Sequence, residues 1–423
     1  MNISESFKKL KTPIVIIGLG KSGHSAETLL LKSGYDKSQV MTFDEKISAD
    51  LGSWQEIEKL TPGTLVVSPG VPLKSDNIKK LIHFGWQLTS EINLAAQFLT
   101  DEVVVGITGS VGKSTVTSFL GAGFCADDSH AFVGGNLGIP FCDYAISMID
   151  KKPKARFIVL ELSSYQLENC EDLKLKYSAI TYLSANHLER YSSLDEYYAV
   201  KCGIGKMTTD LCVINSASVD LVSFKNKIQC SVAETNITDH EIKLIGKHNL
   251  ENYSVALELA KKCNLSNQAI SAMKNFSGLA HRLENVGEFG GVLYINDSKA
   301  TAMDSVLVAT SAALEKIVSN GTLYLLLGGK DKNLPWELLH DLKHEKNTKI
   351  LFFGQCAELA KNKSGLMGVV FEKLSQAIHY AQKNAKSGDV VLLSPGGTSL
   401  DEFKNFEERG NFFKKLVQQK INQ

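Results

Sequence analysis

The chain is poor in several things, and each shortage excludes something. Of its 423 residues only eight are proline and three tryptophan, and no stretch is dominated by proline, glycine or serine. That excludes a fibrous or low-complexity chain and leaves no compositional linker to mark domain boundaries. Net charge is absent too, because 46 Lys and Arg balance 46 Asp and Glu. A broad basic surface for nucleic acid is thereby excluded, and any anion site must be built locally. No apolar run reaches the ~18 residues that a membrane helix requires. Met1–Lys11 is polar and lacks the apolar centre of a signal peptide. None of the eight cysteines forms a C-x-x-C pair. Free thiols in a reducing cytosol are therefore expected, not disulfides or a zinc knuckle.

What is present is ordinary globular material, 43% hydrophobic and 22% charged. At roughly 100–200 residues per domain, two to four domains are expected. Apolar, β-branched runs at Ile14–Ile17, Leu65–Val67, Val103–Ile107, Phe157–Leu160, Ser178–Leu183, Leu323–Leu327, Ile350–Phe353 and Val390–Leu393 alternate with helix-length segments. Continuously apolar strands are covered on both faces, which predicts parallel, doubly wound α/β sheets. Strand–glycine–helix openings at Ile14–Gly23, Val103–Thr115 and Leu323–Asp331 place boundaries near residues 100 and 280. The expected domains are then 1–99, 100–280 and 281–423.

The first opening reads Gly18-Leu-Gly20-Lys21-Ser22-Gly23 after a strand. This G-x-G-x-x-G pattern lets a pyrophosphate approach a helix N-terminus. Asp44 follows the next apolar stretch, where an acidic residue would meet a ribose or base, and Ser68-Pro-Gly70 adds a further loop. Taken alone, the pattern also suits an NAD- or FAD-binding oxidoreductase.

The second opening is the strongest feature. Val103–Ile107 leads into Thr108-Gly109-Ser110-Val111-Gly112-Lys113-Ser114-Thr115. Backbone N–H groups of such a loop cradle phosphates, Lys113 offsets β/γ charge, and Ser114 is placed to ligate Mg²⁺. The glycine spacing differs from the standard form, since Ile107 stands at the first glycine's place. Downstream, Glu161 closes a buried strand, the usual place for a carboxylate that reaches the nucleotide's metal. His187 follows the next strand, and Lys201 lies on a helical segment.

Together, these blocks resemble the Mur amide ligases. The segments that carry the resemblance are Gly106–Thr115, Gly134–Gly138, Glu161–Glu168, Asn186–Tyr191 with Lys201, Gly246–Asn252, His281-Arg282, Asn296–Thr301 and Gly328–Lys332. Ser394–Gly410, with Glu161–Glu168, is similar to the branch that adds D-glutamate. The match runs in order from about residue 14 to 413.

The resemblance implies three α/β domains: a Rossmann-like N-terminal domain, a central P-loop ATPase-like domain with a mostly parallel sheet, and a Rossmann-like C-terminal domain. They would hold the UDP end of the substrate, ATP, and the incoming amino acid. The implied reaction adds D-glutamate to UDP-N-acetylmuramoyl-L-alanine at the expense of ATP, through an acyl phosphate, in cytoplasmic peptidoglycan precursor synthesis. Lys113, Glu161, His187 and Lys201 are the implied catalytic residues. Ser114 and Glu161 would serve a first Mg²⁺, and His187 and Lys201 a second, with Mn²⁺ as a substitute and Lys201 carbamylated. Around the nucleotide the resemblance places Gly109 to Thr115, Asn249, Asn252, Arg282 and Asp331. For the substrates it places Gly18, Gly20, Lys21, Ser22, Asp44, Lys46, Ser68, Gly70, Asn136 and Ser163 toward the UDP-linked sugar. Lys332, Ser399 and Phe406 fall toward D-glutamate. A monomer without nucleic-acid or membrane partners is expected.

The chain departs from the family pattern at Ser110-Val111, where Thr-Asn is usual, and at Asn186 and Glu189, where Asp is usual. Ala302 replaces a usual Asn, and Thr398-Ser399 a usual Ala-Ser. None of these removes Lys113, Glu161, His187 or Lys201. The alternatives are a ligase of the same superfamily with another amino acid or a folate acceptor, an oxidoreductase, and a non-catalytic nucleotide switch.

Overall fold

β1 (Ile14–Ile17), β2 (Val40–Phe43), β3 (Thr64–Val67) and β4 (Gln87–Thr89) form a parallel sheet in the order β2-β1-β3-β4. A second sheet holds β5 (Val103–Thr108), β6 (Phe132–Gly135), β7 (Phe157–Glu161), β8 (Leu175–Ile180), β9 (Thr208–Asn215) and β10 (Lys227–Cys230). It is wholly parallel, in the order β10-β9-β8-β5-β7-β6. The third comprises β11 (Glu284–Phe289), β12 (Val292–Asn296), β13 (Leu323–Gly328), β14 (Thr348–Phe353), β15 (Gly368–Phe371) and β16 (Val390–Gly396). Its order is β11-β12-β16-β13-β14-β15, with only the β11–β12 pair antiparallel. This computed structural model describes residues 10–184, 190–224, 227–230, 237–238, 241–318 and 320–419.

The expected α/β class with mostly parallel sheets is what the chain adopts. Side chains of a strand alternate between its faces, and the buried residues sort accordingly. Ile14 and Ile16 join one apolar cluster, Val15 and Ile17 another. Leu323, Leu325 and Leu327 pack on one face of the third sheet, Tyr324 and Leu326 on the other. Apolar residues are therefore favoured on both faces, and β1, β3, β7, β13 and β16 are buried throughout, with Thr64, Glu161 and Ser394 the buried polar exceptions.

One strand differs from expectation. The run at Ser178–Leu183 forms a strand only to Ile180, which instead begins at Leu175. Beyond it the backbone leaves the sheet to brace the glycine loop: Thr181 N–H donates to Thr108 O, and Tyr182 O accepts from both Ser110 and Val111 N–H.

The chain divides into two compact units. One takes in residues up to Ile237 together with Glu251–Lys274, and the other Thr238–Leu250 with Asn275 onward. The first unit holds the first two sheets, and they share a core. Leu29 and Leu30 of the helix Lys21–Lys32 and Phe141 and Ala145 of the helix Phe141–Ile149 belong to the same cluster as Ile158 and Leu160 of β7. Glu91 is buried at this junction, where its carboxylate accepts the Cys142 N–H. Burial pushes that carboxyl up to about 7. Cys125, Cys142, Cys170, Cys202, Cys212, Cys263 and Cys356 carry free thiols. No helix among the described residues is long and apolar enough to cross a membrane.

In open parallel sheets, ligands bind beyond the carboxyl ends of strands where the strand order reverses. The first unit has two such points. One lies after β1, between β2 and β3, and the other after β5, between β7 and β8.

Candidate functional site

β5 ends at Thr108, and the chain turns through Gly109 and Gly112 into the helix Lys113–Asp127. Both glycines have positive φ, 143° and 92°. A Cβ at Gly109 would lie 2.0 Å from Thr181 Oγ1, and one at Gly112 would lie 2.3 Å from Asn252 Oδ1. Only glycine fits either place. The loop is braced from outside. Thr181 Oγ1 donates to Val111 O at 2.6 Å. Ser110 Oγ donates to Ser184 O at 2.8 Å, accepts the Ser184 N–H at 3.0 Å, and meets Tyr197 OH at 3.1 Å. Val111 enters this scaffold through its main chain, and its side chain is half exposed.

Lys113 folds back over the loop and donates to Gly109 O at 2.9 Å and Ser110 O at 3.0 Å. Lys201 reaches the same Gly109 carbonyl at 2.7 Å from the helix Leu194–Cys202. Its side chain is only 1% exposed. Burial, joined by the nearby charge of Lys113, pulls the Lys201 amine down to about 6 against a pull upward from Glu161. Ser114 is buried in the first turn of the helix, and Thr115 follows it there.

Glu161 ends β7 beside this loop and is 2% exposed. Asn136 Nδ2 donates to its Oε1 at 2.6 Å, and Asn136 N–H to its main-chain oxygen at 2.8 Å. Glu161 Oε2 is buried with no hydrogen-bond partner among the described residues. An uncompensated carboxylate oxygen is costly to bury. A cation fits this place, because it would satisfy that oxygen, with the Ser114 hydroxyl as a second oxygen donor. No cluster of three or more His, Cys, Asp or Glu side chains suited to a metal occurs among the described residues. His187 lies outside the described residues, as do Asn186 and Glu189.

A buried neutral amine has a thermodynamic signature. The amine value of Lys201 lies below its ordinary 10.5, so folding at neutral pH expels a proton. That cost is full below about pH 6 and fades as pH rises toward 10. Lys201→Met should therefore melt higher than the parent in carbon-dioxide-free buffer. The expected gain is about 1–4 kcal/mol, as when other buried charged groups are replaced by apolar ones. It should be larger at pH 6 than at pH 9 in thermal scans; a gain that grows with pH would contradict the buried-amine account.

The second feature is a cavity of about 710 Å³ at the switch point after β1. Gly18, Gly20, Lys21, Ser22, Asp44, Lys46, Ser68, Gly70 and Asn136, all expected at the UDP-linked substrate, line it together. Gly23 packs so closely that a Cβ there would meet Gly18 O at 2.1 Å. Asp44 has a structural task at its edge. Its carboxylate accepts N–H groups of Leu19 at 2.8 Å and Lys46 at 2.8 Å, and these bonds hold it below the usual carboxylate range. Ser163 does not face the cavity. It caps the helix Ser164–Leu167 in a reciprocal pair with Gln166, and Gln166 is the one that lines the wall. Trp54, Glu45 and Asn77 also line it, and no sequence pattern singles them out. Because Asn136 belongs both to this wall and to the Glu161 contact, the cavity and the Glu161 carboxylate meet at one residue.

The profile of the Mur ligase middle domain matches residues 107–240, and that of the Mur ligase, glutamate ligase domain matches residues 281–397. A UDP-N-acetylmuramoylalanine–D-glutamate ligase of Buchnera aphidicola is 33% identical, over 98% of this chain and 99% of its own. The chain belongs to the Mur ligase family. A ligase of the same name from Myxococcus xanthus is 34% identical over 96% of this chain and 98% of its own. The solved Mur ligase MurF of Thermotoga maritima, in complex with ADP, has a TM-score of 0.60 at 14% identity, covering 99% of this chain and 98% of that one. The Thermotoga maritima MurC has a TM-score of 0.58 at 15% identity, with 97% and 100% covered. These two bear on the fold, which is the one expected for a Mur ligase.

The other expected residues of this Mur ligase, apart from Asn252, belong to the second unit. Asn252 backs Gly112 within the first unit, whereas Asn249 belongs to the second and donates to Ile245 O at 2.7 Å. Arg282 stands between His281 and Leu283, which both have positive φ, 65° and 43°. Leu283 N–H donates to Asp297 Oδ1 at 3.1 Å, and Ser394 Oγ to Asp297 Oδ2 at 2.9 Å. Asp297 is buried, and burial pushes its carboxyl up to about 7. Asp331 accepts the Trp336 indole N–H at 2.9 Å, and Lys332 beside it is exposed. Ser399 is buried, and its main-chain oxygen accepts the Phe403 N–H at 2.8 Å. Phe406 lies under the Lys299 ammonium, 4.3 Å from ring centre to Nζ. Arg409 is fully buried and donates to Ser298 O at 2.8 Å and Gly397 O at 3.1 Å, tying two of these loops together.

Proposed function

We propose that the chain joins D-glutamate to UDP-N-acetylmuramoyl-L-alanine with hydrolysis of ATP to ADP and phosphate. The observation that carries this reading is near-complete coverage by relatives of that name, in a chain whose cavity wall includes Asn136, hydrogen-bonded to the Glu161 carboxylate. The alanyl carboxylate attacks the γ-phosphorus, forming the acyl phosphate and releasing ADP. The amine of D-glutamate then attacks the acyl carbon; the C–N bond forms, the C–O bond breaks, phosphate leaves with its electron pair, and the amine nitrogen gives up a proton.

The chain's residues suit these steps. The carboxylate and the triphosphate are both anions, so bringing them together requires local positive charge. Lys113 supplies it at the β/γ-phosphates, with the N–H groups of Gly109 and of Gly112 to Thr115; those of Ser110 and Val111 are taken by Tyr182 O. Asn136 serves the alanyl end, where Gln166 lines the wall in place of the expected Ser163, and Asp44 and Lys46 the nucleotide end. Asn249, Asn252, Arg282 and Asp331 serve ATP, and Lys332, Ser399 and Phe406 D-glutamate. Ser114 and Glu161 would hold one Mg²⁺ or Mn²⁺, and His187 and Lys201 a second; such ions offset charge on the reacting groups. We further read the domains as 1–99, 100–280 and 281–423, and the protein as a cytoplasmic monomer.

We read Lys201 as a carbamylation site, a reading supported by its buried amine. A buried, neutral amine is the form that takes up carbon dioxide, and the product is an anion suited to a metal. Lys201→Ala should lose activity and regain part of it with short-chain carboxylates, which return the missing anion. Loss without rescue would point to the unmodified amine. The overall reading is tested by phosphate release from ATP with UDP-N-acetylmuramoyl-L-alanine and each common amino acid in both hands. Release should be confined to D-glutamate; release with a different amino acid alone would overturn the specificity.

A further inference from the structure

We infer that Trp54 is the stacking platform for the nucleobase of the UDP-linked substrate, and that Glu45 holds its ring in place. The inference deepens the reading of the 710 Å³ cavity as the site of that substrate, and rests on it.

The cavity has chemically distinct ends. Asn136 and Gln166 form one, and Asn136 is hydrogen-bonded to Glu161. The reacting carboxylate belongs there, because phosphoryl transfer needs it near the glycine loop. The middle is the Gly20-Lys21-Ser22 entry into the helix Lys21–Lys32, where Gly20 offers no side-chain cap and the first N–H groups suit a diphosphate. A substrate with its carboxylate at Asn136 and its diphosphate at this helix has its base left for the remaining wall, formed by Phe43, Asp44, Glu45, Lys46 and Trp54.

That wall carries one large partly open ring. Phe43 is buried, at 2% exposure. Trp54 is half-buried, and it packs edge-on against Phe43 with ring centres 4.7 Å apart. Its indole N–H donates to Glu45 Oε1 at 2.7 Å. The intervening loop is tied back to β2, with Leu51 N–H donating to Thr42 O at 3.0 Å and Asp50 accepting from Thr42 N–H at 2.9 Å. A ring held this firmly loses little freedom when a base settles on it, which is what makes an aromatic platform effective.

The chain itself provides the probe. Trp86 and Trp336 are 4% and 0% exposed, so Trp54 is the one tryptophan that faces the cavity. Full-length wild type, Trp54→Phe and Trp54→Ala would be titrated with uridine diphosphate by tryptophan emission and calorimetry, with inorganic pyrophosphate as the control without a base. Uridine diphosphate should quench wild-type emission, and the quench should vanish in Trp54→Phe. Trp54→Ala should bind it about tenfold more weakly, the usual scale for one stacked base, and Trp54→Phe should fall between. Pyrophosphate affinity should be equal in all three. The KM for the UDP-linked substrate should rise with kcat preserved. Unchanged uridine diphosphate affinity in Trp54→Ala overturns the platform and leaves the substrate reading standing. Parallel losses toward both ligands also overturn it, since Trp54 would then only shape the loop. A wild-type protein that binds no uridine diphosphate removes the platform and the substrate reading together.

Discussion

Lys113→Ala is expected to lower kcat by at least about 10³-fold, or roughly 4 kcal/mol of transition-state stabilisation. The ammonium stands at the first turn of the helix that follows the loop and already faces the Gly109 and Ser110 carbonyls. Nothing else in the loop carries a full positive charge, and the balanced composition leaves no surplus to compensate from a distance. The loop's shape does not depend on the lysine, because Thr181, Tyr182 and Ser184 brace it independently. The variant should therefore keep its melting temperature and its affinity for uridine diphosphate, whose proposed cavity Lys113 does not line. Arginine at this place should restore little, as its planar fork does not match a point charge fitted to the loop. Steady-state phosphate release decides the matter: a kcat within about threefold of wild type would remove Lys113 from the chemistry.

Glu161→Gln should come next, with activity down by about 10²-fold or more at ordinary Mg²⁺ concentration and an increased metal requirement. The substitution keeps the shape and takes away the charge. Asn136 donates to Oε1, and an amide oxygen at that position still accepts this bond. What disappears is the buried, unpartnered Oε2, the oxygen best suited to a cation. Titration of activity with Mg²⁺ and Mn²⁺ separates the two effects. An unchanged metal dependence would show that Glu161 serves only to orient Asn136.

Much of this arrangement was legible in the sequence because glycines and apolar runs act locally. Gly109 and Gly112 require backbone angles that other residues avoid, so the loop announces itself. β1, β7, β13 and β16 are buried on both faces, and the apolar runs Ile14–Ile17, Phe157–Leu160, Leu323–Leu327 and Val390–Leu393 say so. β2 and β9 carry polar residues such as Thr42, Thr209 and Asp210, which conceal a parallel strand. Residues 181–183 read as strand but, with Ser184, serve as a brace, because their partners lie some 70 positions earlier. The same distance hid Trp54 and Gln166, whose places on the cavity wall depend on tertiary packing alone. Asp44 shows the opposite case, since its position was foreseen while its carboxylate turned out to be committed to the backbone of Leu19 and Lys46.

Val111 shows how such a loop tolerates change. It is tied to Tyr182 and Thr181 by its own N–H and C=O, both of which every residue except proline provides. The side chain projects outward and carries none of the architecture. Mutation at this position is therefore free to drift through polar and apolar residues alike without unmaking the turn, whereas a single methyl group added at its neighbours Gly109 or Gly112 collides at once. Tolerance in this loop is set by the main chain: Gly109 and Gly112 are locked by their backbone angles and Ser110 by its hydroxyl, and Val111 is the position whose side chain can change while the same turn is kept.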